Sequence, residues 1–262
     1  MDLLPLVLGA LSGVLVGFAL GLVGGGGSIL AVPLMVYVVG VDNPHVAIGT
    51  SALAVAASAA MNLAQHARRG NVRWRCAAVF ATAGVVGAYG GSTLGKAVDG
   101  QELLFLFALL MIVVGVLMLR RRDDGGNPTA RLDRENAPKL LGFGIAAGGL
   151  SGFFGIGGGF LIVPGLIAAT GMPMLAAVGS SLVAVTAFGL TTAFNYASSG
   201  LVDWSLAGVF IGGGMLGGLL GTALAQRLSV SRGALTRVFA ALVFAVAAWM
   251  LYRSGAAAVG VL

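Results

Sequence analysis

From residue 103 to residue 119 the chain carries no charge, and residues 77–95 repeat that over a similar length. A run of ~20 apolar residues is what a helix needs to cross a hydrocarbon core about 30 Å thick. Residues 235–252 form a third such run, broken only by Arg237 near its start. Only 9% of the 262 residues are charged, and 58% are hydrophobic. A soluble domain carries roughly a quarter charged residues to cover its surface, so this composition excludes that class. The fold class expected is an all-α integral membrane protein, held by the lipid bilayer. Met1-Asp2-Leu3-Leu4-Pro5 lacks the basic stretch of a secretory leader, and the apolar run after it is too long for one.

The net charge of +6 does not imply nucleic acid. The basic residues sit in short gaps between apolar spans, where they orient a membrane protein, and no basic face interleaved with aromatics appears. One cysteine, Cys76, excludes an internal disulfide. Two histidines, His45 and His66, are too few for a protein-built metal centre. Neither a cofactor nor a metal is expected.

The sequence repeats itself. Gly13, Gly17 and Gly21 precede Gly24-Gly25-Gly26-Gly27-Ser28-Ile29-Leu30-Ala31-Val32-Pro33, and Gly144, Gly148 and Gly152 precede Gly155-Ile156-Gly157-Gly158-Gly159-Phe160-Leu161-Ile162-Val163-Pro164, at an offset of 131. Gly49-Thr50-Ser51 answers Gly179-Ser180-Ser181 at 130, as Gly70, Val72 and Trp74 answer Gly200, Val202 and Trp204. Glycines alone could align by composition, but proline, tryptophan and Gly-Thr-Ser in register could not. Residues 1–120 therefore read as a first transmembrane repeat, 121–139 as a polar cytoplasmic linker, and 140–262 as a second repeat.

Each repeat divides into four apolar segments, 3–39, 46–65, 72–95 and 103–119 in the first and 140–170, 175–197, 202–225 and 235–252 in the second. The first segment of each is too long for one span and is broken by glycine. Consecutive glycines cost about 1 kcal/mol each against alanine in a helix, and irregular backbone at membrane depth survives only inside protein or beside a wet cavity. Each first segment is expected to form two half-helices about this break, as a hairpin or a kinked span, followed by three transmembrane helices. Charge favours inverted repeats. With odd crossing parity, gaps 66–75, 120–139 and 226–237 share the cytoplasmic side and hold 13 of the 15 Lys and Arg residues, leaving Lys96 and Arg253 opposite.

At Gly21-Leu22-Val23-Gly24-Gly25-Gly26-Gly27-Ser28, Val32-Pro33-Leu34, His45-Val46-Ala47-Ile48-Gly49-Thr50-Ser51 and His66-Ala67-Arg68-Arg69-Gly70-Asn71-Val72, the chain resembles the sulfite exporter TauE/SafE family. The resemblance implies a multi-pass transporter in a bacterial cytoplasmic membrane that moves small sulfur-containing anions such as sulfite, sulfoacetate or thiosulfate outward, as a monomer or homodimer. The second half departs from that pattern with Ile156 inside its glycine run and no basic cluster after Tyr196.

Physical reasoning places the small anionic substrate at the breaks. A helix restarting after Gly27, or before Phe160, would aim unpaired backbone N–H groups and a positive dipole at the gap. The expected substrate-binding residues are Gly24, Gly25, Gly26, Gly27, Ser28, Thr50, Ser51, Asn62, Gly157, Gly158, Gly159, Ser180, Ser181 and Asn195. Against this stand blander readings. The glycines could serve helix packing, which is preferred for Gly13, Gly17 and Gly21, and the hydroxyls could bond their own preceding turn. Arg68, Arg69, Arg73 and Arg75 set topology, His45 and His66 read as satisfied interfacial residues, and Trp74 and Trp204 as interfacial anchors. Asp2, Asp42, Asp99, Glu102 and Asp203 fall near segment ends, so no carboxylate relay is expected at the midplane. An anion channel remains an alternative, and an intramembrane enzyme a distant one, because no catalytic dyad is visible.

Overall fold

The structure, a computed structural model, describes residues 3–120, 126–127, 130, 132–155, 159–228, 241 and 244–249. Gly157, Gly158 and most of the 235–252 segment lie outside these. The described residues are helical with no strand. Helix α1 spans Leu3–Val23, α2 Ala31–Leu34, α3 Pro44–Arg68, α4 Trp74–Gly95, α5 Gly100–Arg120, α6 Ala137–Phe154, α7 Gly159–Thr170, α8 Met174–Ala197 and α9 Trp204–Leu228. Five of them, α1, α3, α4, α8 and α9, are long and apolar enough to cross a membrane.

The first segment breaks at its glycines, but not into two half-helices with a restart after Gly27. Helix α1 already has the length of a full span. Gly24–Leu30 then winds as a 3-10 turn, α-helix resumes only at Ala31, and Met35–Val39 loosens into a π turn before left-handed Gly40. Four glycines contribute no side-chain packing to hold an α-ladder, so the tighter i→i+3 pattern persists until Ile29, Leu30 and Ala31 supply it. In the second half α6 stops at left-handed Gly155 and α7 restarts at Gly159.

Contacts between the halves are reciprocal. Gly13, Gly17 and Gly21 of α1 abut the backbone at Phe210, Gly214 and Gly218 of α9, while Gly144, Gly148 and Gly152 of α6 abut Phe80, Gly84 and Ala88 of α4. Each contact reappears with its two sides exchanged at the repeat offset. The order of these contacts makes α1 parallel to α9, and α6 parallel to α4. At the centre α3 and α8 run antiparallel: Gly49 lies on the Leu201 carbonyl, and Gly179 on that of Asn71. A side chain at any of these glycines would hold the backbones apart, and the small-residue faces seen in the sequence serve this close approach.

Apolar burial follows the same plan. One core cluster takes Val16, Leu20, Val55, Phe80, Phe188 and Phe210 from the central helices; a second takes Val23, Ile29, Ile48, Phe107, Phe154 and Val178 around the breaks. Outside, Leu11, Leu15, Val86, Leu94, Phe105, Leu109, Leu190, Phe194, Leu216 and Leu220 are exposed, a belt that only lipid or a partner can cover. Trp74 and Trp204 open α4 and α9 at 55% and 67% exposure.

Candidate functional site

The two breaks meet inside the protein. The backbone N–H of Gly159 donates to Ser28 Oγ at 3.3 Å, and both residues are buried. Residue 159 is the repeat counterpart of residue 28, so equivalent positions of the two repeats touch here. Gly24, with φ +67°, sits against the Val178 carbonyl at 2.7 Å and Ser181 Oγ at 2.8 Å, measured from where a Cβ would stand. Its counterpart Gly155, also φ +67°, sits against Ile48. That left-handed turn at the end of α1 and of α6 is what only glycine adopts without strain. Gly27 lies against the α1 backbone at Ala19 and Leu20, so it lets the turn fold back closely onto its own helix. Gly25 and Gly26 fall inside the 3-10 turn. Val23, Ile29, Phe154 and Val178 surround the junction with hydrocarbon, a low-dielectric wall in which fixed N–H dipoles act strongly.

The remaining candidates divide. Thr50 Oγ1 accepts from the Asp203 N–H at 2.9 Å, and Ser180 Oγ accepts from the Arg73 N–H at 2.8 Å. These two hydroxyls hold the loops leading into α9 and α4, at opposite ends of the α3–α8 pair. Ser51 Oγ donates to the Ile48 carbonyl at 3.0 Å, and Ser181 Oγ to that of Val178 at 2.8 Å, the local bond expected of helical hydroxyls. Ser181 nevertheless stands beside Gly24 and belongs to the junction.

The amides lie further out. Asn62 Nδ2 donates to the Ser58 carbonyl at 3.0 Å and its Oδ1 accepts from Thr222 Oγ1 at 3.2 Å. Asn195 Nδ2 donates to Ser92 Oγ at 2.6 Å and Thr93 Oγ1 at 3.0 Å. Eleven residues of α3 separate Ser51 from Asn62, about 16 Å of rise. The structure thus gathers Gly24, Ser28, Gly159 and Ser181, and distributes Thr50, Ser180, Asn62 and Asn195 toward the two ends.

The His66 side chain is fully buried, with Nε2 3.1 Å from the Gly21 carbonyl and Nδ1 3.4 Å from Asn71 Nδ2. A carbonyl only accepts and an amide NH2 only donates, which assigns the neutral Nε2–H tautomer. The ring therefore occupies one of the carbonyls that α1 would otherwise leave open near the break. Its counterpart at offset 130 is Tyr196. That pairing was legible in the sequence, and it marks both positions as buried polar sites at the ends of α3 and α8.

Arg73 and Arg75 line an open pocket of about 410 Å³ together with Val72, Trp74, Cys76, Ala130 and Leu132. Arg69 reaches the Thr222 carbonyl near the end of α9 at 3.2 Å. Loop 66–75, the linker and the end of α9 therefore share one end of the molecule, and Lys96 stands at the other. The acids serve as helix caps: Asp99 Oδ1 accepts from Gln101 N–H at 2.9 Å, and Asp203 Oδ1 from Leu206 N–H at 3.0 Å. Asp42, Asp99 and Glu102 are exposed, and no carboxylate is among the buried side chains described. Among the described residues, no group of three His, Cys, Asp or Glu side chains could hold a metal ion.

The profile of the family described as sulfite exporter TauE/SafE matches residues 9–250. A probable membrane transporter protein of Xylella fastidiosa is 57% identical over 251 residues, covering 95% of each chain. The probable membrane transporter protein YunE of Bacillus subtilis is 26% identical over 239 residues, 82% of this chain and 87% of that one. A probable membrane transporter protein of Haemophilus influenzae is 28% identical over 213 residues, 77% and 79% of the two chains. No solved structure matches.

Proposed function

This chain belongs to the sulfite exporter TauE/SafE family and is a multi-pass membrane transporter, and from that premise we propose that it carries a small sulfur-containing anion, such as sulfite, thiosulfate or sulfoacetate, out of the cytoplasm. The observation that carries this reading is the junction of the two breaks, where Gly159 N–H meets Ser28 Oγ in a buried apolar setting. An oxyanion there replaces part of its water with backbone N–H groups and the Ser28 and Ser181 hydroxyls, at the N-terminal end of α7. Neutral donors hold an anion without trapping it, and among the described residues no buried carboxylate opposes it. The acids at the caps leave proton carriage by the substrate, or the membrane potential, as the drive for export.

The reciprocal contacts and the antiparallel α3 and α8 support inverted repeats, with the arginine-bearing end in the cytoplasm. Arg73 and Arg75 in their pocket then gather anions on the side from which they leave.

Flux through proteoliposomes, measured over a panel of sulfite, thiosulfate, sulfoacetate, sulfate and chloride, tests the proposal. The expected outcome is saturable, counter-transported flux of one or more sulfur anions. Ser28→Ala should weaken binding roughly tenfold to a hundredfold, the effect of a lost hydrogen bond to a charged group of about 1.5–3 kcal/mol. Saturation-free conductive flux would assign a channel instead, and an inert panel would overturn the substrate class.

A further inference from the structure

The end of the molecule opposite the arginines holds a single described cation, and its surroundings are unusual. Lys96 follows the last residue of α4, and its ammonium donates to the Asn195 carbonyl at 3.0 Å, to Asn195 Oδ1 at 2.8 Å and to Ser199 Oγ at 2.9 Å. All three partners are neutral, so the positive charge is solvated but not cancelled. Lys96 Nζ also stands 5.9 Å from the centre of the Tyr196 ring, and the His45 ring lies 6.3 Å from it on another helix.

A structural explanation covers part of this. Lys96 sits where α4 and α8 end, and a cation there caps carbonyls and suits both dipoles. It does not cover the two polar atoms beside it. Tyr196 is fully buried and its hydroxyl has no hydrogen-bond partner, and His45 Nδ1 is likewise buried and unpartnered. A third such atom, Thr192 Oγ1, lies one turn further along α8 toward the junction of the breaks. A buried polar atom left unmet is costly, and three such atoms near this end of α8 call for something that meets them. The phenol hydroxyl can donate, as can His45 Nδ1 in the tautomer that protonates it, and beside an ammonium bonded only to neutral groups the set suits an acceptor of negative charge.

We propose that Lys96, Tyr196 and His45 form a second oxyanion site, a receiving mouth at the far end of the pathway from Arg69. This rests on the transport reading above. The repeat shows how the two mouths differ. Arg69 and Lys96 are not counterparts: position 69 answers Ser199, and position 96 answers Gln226. Each end has one cation of this pair, supplied from a different helix end, Arg69 bonding a carbonyl of α9 and Lys96 one of α8. The oxyanion leaving the junction passes Thr192, takes its hydrogen bonds from Tyr196 and His45, and is released beside an ammonium already satisfied by neutral groups.

The test is calorimetric binding of thiosulfate, sulfite and sulfoacetate to the full chain in lipid nanodiscs, paired with thermal unfolding. Tyr196→Phe is the decisive variant, because the two explanations give it different signatures. A tyrosine that merely packs loses a buried, unmet hydroxyl, so stability is kept or raised and affinity is unchanged. A tyrosine of the mouth keeps stability but binds anion roughly tenfold more weakly. Lys96→Met should weaken binding at least as much, and Lys96→Arg should restore most of it by keeping the charge. If Tyr196→Phe and Lys96→Met bind like the parent while Ser28→Ala is weakened, the mouth is overturned and the junction stands. If Ser28→Ala binds like the parent and the other two are weakened, the mouth stands and the junction does not. A parent that binds none of the three anions overturns both.

Discussion

The arginine end and the lysine end of this protein are built on the same backbone and finished with different chemistry. At both, a glycine on the central helix lies against a loop carbonyl, Gly179 on Asn71 and Gly49 on Leu201. At both, the next residue's hydroxyl takes a loop N–H, Ser180 from Arg73 and Thr50 from Asp203. Yet the buried polar ring is histidine at one end and tyrosine at the other, and the cations come from non-equivalent positions. Backbone approach tolerates little change because it is set by atoms common to every residue. Side chains beyond those contacts are free of that restriction, so one repeated backbone arrangement can present two chemically unlike ends.

The sharpest way to break the comparison is to show that the ends are not on opposite sides. In a chain with Cys76 replaced, a cysteine at Asp99 should label fully with an impermeant reagent in sealed cells, and one at Arg68 should not label until the cells are opened. Labelling of both from outside would remove the inverted arrangement. Next in size are the packing glycines. Gly17→Val and Gly148→Val each put a side chain on a facing backbone, at Gly214 and at Gly84, and should each lose about 1–3 kcal/mol or more in denaturant unfolding in detergent. Equal losses support the equivalence of the two helix pairs, and a tolerated substitution in either half denies it. Smallest are the loop caps: Thr50→Val and Ser180→Ala should each cost about 1 kcal/mol, by the same assay.

Much of this scaffold was legible because it is written twice. The glycine faces, the breaks and the tryptophans that open α4 and α9 all announced themselves through the repeat offset, without any knowledge of which helix met which. Partner identity was not legible. Thr50 and Ser180 suggested ligands because hydroxyls beside glycine at membrane depth often face a path; their acceptors are used by backbone more than 100 residues away. The helix restart was misplaced for a related reason, since propensity marks where an α-helix fails but not how far a 3-10 turn will carry on. That the end of α1 buries the His66 ring was not legible from its place at a segment's end. Lys96 was visible only as a residual charge, because the neutral oxygens that hold it come from α8 and the loop after it.

The pairing of α1 with α9 and of α6 with α4 sets what can move. Each pair joins a helix of one sequence half to a helix of the other through carbonyl-to-glycine contacts that leave no slack. A rocking of half against half, the simplest form of alternating access, would pull both seams open at once. The tightest units are therefore mixed pairs, α1 with α9 and α4 with α6, packed beside the antiparallel α3 and α8. Neither sequence half is a separate packing unit of this transporter: each contributes one helix to both glycine seams.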